Sequence, residues 1–586
     1  MNSARRLLEI RDLKVSRAGK LVLDGLSLTL HAGETLLILG DEASGKDALL
    51  HVLGNNAERD EDASGTLQFG DEQARPVRSA VRAGVRAAYL AGPRVMPLNP
   101  YASIISQLCR VVALALNAPE ASARADICIA LERFTSAPDF AVLSKKPREL
   151  RDDELAWALL AAAVAQAPDL LIADHAFSGL TPTAVEVLAQ ALVQEQQRQE
   201  FAMIYAAETL QTASHLRCRT VVLRRGKIIE EGDFEKLAAG QSHSYTKVLF
   251  KALPRYRETK PLRIGTRGEP LLQVQGLDLA PRKRTRQASR EAISFELRRG
   301  AALALIGDQG SGRRALVRAL LGLQRFAHGR VVLDQIDLSI LSRAMKARLR
   351  RRIAFVTGSD AALDPRMTLW DTVDEPLRAH LHLPRELIAA YRETALKRVG
   401  LASHDARQPV GTLSLFDKRR LQVARAIVSA PFLCVIDEPL RGLDAFAQSI
   451  LIELLTDLRR VEGPAFLIIT ADMRVAQALA DTAMVFKGGK LVERGPLADL
   501  MRAPKDGETK RLLAAAAPRA REPAPASSYA TPEDAATEIE AAMAETAILQ
   551  PTEEFDPQIS PEIPPEDTVV PSETAAEQDT AAKGPG

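Results

Sequence analysis

At 586 residues the chain is too long for one hydrophobic core, so two or three domains are expected. Its composition is 46% hydrophobic, 26% charged and 4% aromatic, which is ordinary for a soluble α/β protein. The net charge of +2 hides a split, because residues 521–586 carry −13 and the residues before them +15.

In chain order, LLEIRDLKV from Leu7 reads as a strand, and LLILG (Leu36–Gly40) reads as a buried strand. DEASGKDALLHVLG then opens a helix. Between them, Gly40-Asp41-Glu42-Ala43-Ser44-Gly45-Lys46 is a glycine-rich loop of the kind that turns backbone N–H groups toward phosphate oxygens, with Lys46 to neutralise them. Asp47 follows where a hydroxyl would ligate Mg²⁺. AAYLAGPRVMPLNP (Ala87–Pro100) and LLIADH, running through Asp174 to His175, give two further strands, and PRELRDDELAWALL opens a helix between them.

The same order then repeats. LLQVQGLDL at Leu271 answers LLEIRDLKV. LALIGDQGSGRR answers LLILGDEASGKD, placing Gly307 against Gly40 at an offset of 267. Asp437 answers Asp174 and Gly495 answers Gly232, both at an offset of 263. A constant offset over many landmarks means a duplicated domain, and strands alternating with helices argue for a mostly parallel sheet in each copy. The second loop holds Gly307, Asp308, Gln309, Gly310, Ser311, Gly312, Arg313 and Arg314, so arginines replace the lysine and the hydroxyl position. A helix from Asp417 to Val428 and a strand from Phe432 to Ile436 are expected next. They lead into Asp437-Glu438-Pro439 and a loop closing on Asp444. A strand ending in two carboxylates suits metal-assisted phosphate chemistry, one holding Mg²⁺ and the other orienting a water.

The stretch from Leu413 to Asp444 resembles the signature helix, Walker B strand and D-loop of an ABC-type ATPase. The resemblance covers about residues 7–518 in two copies. It implies tandem P-loop nucleotide-binding domains that bind ATP and Mg²⁺, paired head to tail so that each loop faces the other copy's signature. Asp174 and Asp437 would hold the metal, Glu438 would be the catalytic glutamate, and Ser414 would face phosphate. The pattern is also degenerate. LSGGQ has become Leu150-Arg151-Asp152-Asp153-Glu154 in one copy and Leu413-Ser414-Leu415-Phe416-Asp417 in the other. Ala91 and Thr357 stand at the glutamine positions, His175 at the first glutamate, Thr181 at the first D-loop aspartate, and Glu208 and Ala471 at the switch histidines. The single loop lysine, Lys46, leads to the expectation that the first copy holds most of the ATP affinity.

HSYTKVLFKALP (His243–Pro254) and GETKRLLAAAAP (Gly507–Pro518) resemble the C-terminal extension of ATP-binding subunits of oligopeptide, dipeptide and nickel importers. This implies integral membrane permeases as partners. Domains of 1–259 and 260–518 are expected, followed by a Pro/Ala/Glu-rich tail of 519–586 too poor in apolar residues to fold. Within the tail, Glu533–Gln550 has some helical spacing. Four cysteines (Cys109, Cys128, Cys218, Cys434) lack metal-ligand spacing, the opening MNSARRLLEIRD has no apolar signal core, and no run reaches bilayer length. A cytoplasmic protein, peripheral on the inner face of the inner membrane, is therefore expected. The basic runs Pro281–Arg286 and Arg343–Arg352 lack interleaved aromatics and read as solvated faces, so no nucleic-acid partner is expected. The alternative function is a pseudo-ATPase, a scaffold or regulator of a permease complex without turnover.

Overall fold

A computed structural model describes residues 5–55, 61–77, 85–93, 96, 98–207, 210–239, 243–251, 270–278, 292–324, 328–338, 340–342, 345, 349, 351–359, 362–380, 383–462 and 464–516. Glu208, the run Pro281–Arg286, most of Arg343–Arg352, nearly all of the linker Pro254–Pro270 and the whole tail lie outside them.

Among the described residues the first copy has ten strands: β1 (Arg6–Arg17), β2 (Lys20–His31), β3 (Thr35–Leu39), β4 (Glu61–Phe69), β5 (Arg75–Pro76), β6 (Ala87–Ala91), β7 (Leu170–Asp174), β8 (Ala202–Ala206), β9 (Arg219–Arg224) and β10 (Lys227–Asp233). The second repeats them as β11 (Pro270–Asp278), β12 (Ile293–Arg298), β13 (Ala302–Ile306), β14 (His328–Leu333), β15 (Ile336–Asp337), β16 (Ile353–Thr357), β17 (Leu433–Asp437), β18 (Ala465–Thr470), β19 (Thr482–Lys487) and β20 (Lys490–Pro496). Each copy has an antiparallel four-stranded sheet, ordered β2-β1-β4-β5 and β12-β11-β14-β15. Each also has a six-stranded sheet, ordered β10-β9-β3-β8-β7-β6 and β20-β19-β13-β18-β17-β16. The sequence repeat is thus a repeat of topology.

The six-stranded sheets are parallel except for the closing hairpins β9–β10 and β19–β20. Their inner strands are apolar without alternation because both faces are covered. Every residue of β7, β8, β13, β17 and β18 is buried. One cluster packs β3 and β7 against the helices Ile104–Leu116 and Asp152–Ala165 through Leu37, Leu171, Leu108 and Trp157. Its counterpart in the second copy joins Ile436, Leu421 and Leu451. Among the described residues no helix is long and apolar enough to cross a membrane. The four cysteines are free thiols, with Cys109 and Cys434 buried.

Two expected boundaries shift. The helix expected over Asp417–Val428 runs Leu415–Ile427, because the Ser414 hydroxyl accepts the Asp417 N–H at 3.0 Å and starts the helix two residues earlier. The strand expected over Phe432–Ile436 runs Leu433–Asp437, since pairing with β16 continues through Asp437.

Candidate functional site

Both glycine-rich loops leave the carboxyl end of a central strand, β3 or β13, where open parallel sheets place their ligand crevices. The helices Lys46–Gly54 and Arg313–Leu320 follow. Each loop is pinned from behind by its hairpin: the Gly226 N–H donates to the Ser44 carbonyl, and the Gly489 N–H to that of Ser311, both at 2.9 Å. Gly45 sits at φ +91°, and a Cβ there would lie 2.8 Å from the Val22 carbonyl oxygen, so only glycine fits.

In the first loop Lys46 is buried, and its Nζ donates to the Asp41 carbonyl at 2.9 Å. The Ser44 hydroxyl donates to the same carbonyl at 2.7 Å. The Asp41 carboxyl accepts the Tyr245 hydroxyl at 2.9 Å, yet burial, with the nearby Asp444 charge, lifts it above the usual carboxylate range. The exposed turn Glu42-Ala43 meets the second copy. The Glu42 N–H donates to Asp444 at 3.1 Å, and the Glu42 carboxyl is approached by the Leu415 N–H at the start of the Leu415–Ile427 helix. Desolvation raises Glu42, that N–H opposes it, and Asp444 and Asp417 add repulsion. Behind the loop, His175 Nε2 lies 2.9 Å from Asp47 Oδ1, and the Tyr89 hydroxyl donates to Asp174 Oδ2. Burial works against the Asp47 charge, but the His175 hydrogen bond and Lys46 hold its carboxyl well below the ordinary range.

In the second loop Arg313 folds back as Lys46 does. Its Nη2 donates to the Asp308 carbonyl at 3.2 Å, and its Nε to the Ser311 hydroxyl at 3.0 Å. Arg313 Nη1 is buried without a hydrogen-bond acceptor, 3.5 Å from Glu438. Arg314 lies on Asp437, with Nε 2.9 Å from Oδ2 and Nη2 3.3 Å from Oδ1. Glu438 accepts the Ala471 N–H at 3.0 Å and the Thr470 hydroxyl at 3.2 Å, and burial raises its carboxyl. Asp308 is held from two sides, by Arg511 of its own copy and by the Thr183 hydroxyl of the first copy at 2.7 Å. The degenerate first signature faces this loop. Asp152 pairs with Arg441 of the second copy, which also donates to the Gly179 carbonyl, and Asp153 pairs with Arg151 at 2.9 Å. A cavity of about 540 Å³ opens here, with Gln309, Gly310, Gly312, Arg313, Glu438 and Arg151 in its walls.

The family profile described as "ABC transporter" matches residues 291–441. Glutathione import ATP-binding protein GsiA of Escherichia coli O6:H1 is 28% identical over 534 residues, covering 84% of this chain and 85% of the relative. The uncharacterized ABC transporter ATP-binding protein YejF of E. coli K12 is 29% identical over 532 residues, covering 87% and 99%. Residues 291–441 thus carry an ABC transporter domain, and most of the chain is similar to tandem ABC ATP-binding proteins. Among solved structures, cbiO1 of Clostridium perfringens, part of the cbiONQ transporter complex, is 25% identical with a TM-score of 0.37, over 40% of this chain and 92% of that one. The dimeric ATP-binding cassette MJ0796 with ADP and Pi is 21% identical with a TM-score of 0.35, over 39% and 98%.

The two ABC cassettes bring the expected residues into two clefts of unlike chemistry. The second fits a nucleotide phosphate, since the cationic Arg151, Arg313 and Arg314 line its cavity beside the loop glycines. It does not fit Mg²⁺ at Asp437, whose two oxygens Arg314 already holds. In the first, Asp174 and Asp47 do fit a cation, because Asp174 Oδ1 is buried and unpartnered. Ser414 caps its own helix. The sequence reading missed Arg441, Thr183, Tyr89, Tyr245 and Arg511. Only the last two carried a signal, by lying in the importer-like extensions.

Proposed function

We propose that this chain is the ATP-binding subunit of a peptide-type importer, seated on the cytoplasmic face of the membrane beneath a pair of permeases, with ATP held between its cassettes. The relative named for glutathione import and the extensions carrying Tyr245 and Arg511 support the importer branch. The observation that carries the nucleotide reading is the second cleft, where Arg313, ion-paired with Glu438 at 3.5 Å, lines a 540 Å³ cavity together with Arg314 and Arg151, within the usual size of small-molecule sites. The lone lysine pointed to the first copy. Yet Glu42, Asp41, Asp47, Asp174 and Asp444 crowd that cleft, and unit charges about 4 Å apart at an effective dielectric near 20 interact by roughly 4 kcal/mol. Nucleotide therefore favours the arginine loop.

Arg314 on Asp437 favours the second reading, a pseudo-ATPase that binds nucleotide and couples it to a permease with little turnover. Equilibrium binding of a fluorescent ATP analogue to the purified chain tests the first point: Arg313→Ala is expected to weaken binding at least tenfold and Lys46→Ala far less. The reverse order would return the nucleotide to the first loop. Steady-state hydrolysis tests the second. A rate near background that Glu438→Gln leaves unchanged is expected, whereas a robust rate abolished by Glu438→Gln makes the chain a working ATPase.

A further inference from the structure

The first cleft holds a set of donors that nucleotide binding does not use. Asp47, Asp174 and His175 each offer one ligand atom, and these atoms lie within 4.8 Å of one another. His175 Nε2 is 2.9 Å from Asp47 Oδ1 and 3.8 Å from Asp174 Oδ1. Tetrahedral metal–ligand distances of about 2.0–2.1 Å imply ligand separations of about 3.3 Å, so small side-chain shifts close the set on one ion. Asp174 is 2% exposed, and its Oδ1 is buried without a hydrogen-bond partner. An unpaired buried carboxylate oxygen costs free energy unless a cation or donor meets it. The Tyr89 hydroxyl occupies the other oxygen, Oδ2, and fixes which one is presented, as outer-shell partners of metal ligands do. The Asp47 side chain is 42% exposed, which leaves a path from solvent.

We infer that Asp47, Asp174 and His175 form a binding site for one zinc-like divalent cation, filled without nucleotide. An imidazole with two carboxylates selects Zn²⁺, Co²⁺ or Ni²⁺ over Mg²⁺, which prefers an all-oxygen octahedron and keeps its waters. The substitutions that spoil this cleft for phosphate chemistry, Asp47 at the hydroxyl position and His175 at the glutamate position, are the ones that build the site. The inference is independent of the importer reading, since all its residues belong to one copy.

The test is titration of the full chain with CoCl₂ in the absence of nucleotide, followed by visible absorption and metal analysis after dialysis. One Co²⁺ per chain with ligand-field bands is expected, displaced by Zn²⁺ and not by excess Mg²⁺. His175→Asn suits the φ of +46° at that position and keeps the fold testable. It and Asp174→Asn should each abolish the bands, while Arg313→Ala leaves them intact. Tyr89→Phe should retain the bands with affinity lowered about 10–100-fold, the range for a lost outer-shell partner. Absence of bands, bands that survive His175→Asn, or Co²⁺ uptake only with ATP would overturn the site. Loss of ATP binding in Arg313→Ala with Co²⁺ binding retained separates this inference from the nucleotide reading.

Discussion

Arg314 lays a planar, delocalised cation against both oxygens of Asp437, in the position where the family's resemblance puts a metal ion. Burial disfavours its charge, but the Asp437 carboxylate outweighs that and raises its basicity. A two-point guanidinium–carboxylate contact is stronger and more directional than a lysine contact, so the pair is a fixed part of the loop. Glu438 is similarly engaged by Ala471 and Thr470, at a φ of +49° that its counterpart His175 shares at +46°. Arg314→Ser frees Asp437 and supplies a hydroxyl. Nucleotide affinity, measured with and without Mg²⁺, should then become Mg²⁺-dependent by several-fold where the parent chain is indifferent. If the parent already shows that dependence, Arg314 yields its place to the ion and the pair is not structural. The substitution itself was legible in LALIGDQGSGRR; its partner was not, because 123 residues separate the two side chains.

The decisive element is the helix Leu415–Ile427, whose first N–H, that of Leu415, meets the Glu42 carboxyl of the other copy. Free N–H groups and the helix dipole make such an end attractive to anions, and in the family's plan the anion is a nucleotide phosphate. Here the Glu42 carboxyl approaches the Leu415 N–H, so the first loop supplies its own anion. Glu42→Gln removes that charge and keeps the side-chain length. With helix-end charges worth about 0.3–1 kcal/mol, ATP affinity measured on the Arg313→Ala background should rise about twofold to fivefold. An unchanged or lower affinity means Glu42 does not compete with phosphate. Elements of this kind were readable because apolar strands such as LLIADH and turn chemistry such as Gly45-Lys46 are local signals. What remained unreadable was cross-domain contact. Glu42 reaches Asp444 over 402 positions and Thr183 reaches Asp308 over 125, and no motif spans such distances. Helix starts erred by two residues where the capping hydroxyl of Ser414 outweighed the polar run after it.

At the scale of the molecule, every hydrogen bond named between the two cassettes among the described residues has a side chain on at least one side. Asp444 on the Glu42 N–H and Thr183 on Asp308 tie each loop to the opposite copy, and the helix Gly507–Ala516 packs against the helix Pro182–Gln199. A further link is Arg441 with Asp152, a pair whose side chains are 10% and 29% exposed. Asp152 departs from the ABC pattern, standing where glycine would admit a phosphate, and Arg441 neutralises it from the loop that leads to Asp444. Small-angle scattering on the nucleotide-free chain should therefore report the compact state already, with little further compaction on adding ATP. Arg441→Asp would set two carboxylates against each other at the centre of the interface, and Asp152→Arg two arginines. Removing a partner from a partly buried pair costs about 1–3 kcal/mol, less than for a fully buried one, and reversal costs at least as much. Each single change should lower the urea midpoint and enlarge the radius of gyration. The double swap, Arg441→Asp with Asp152→Arg, restores opposite charges at the same two positions and should recover most of both losses, a coupling that additive independent sites do not show. If the double variant is as loose as the sum of the singles, the pair does not hold the cassettes together, and the closed arrangement depends on the loop contacts of Asp444 and Thr183 instead.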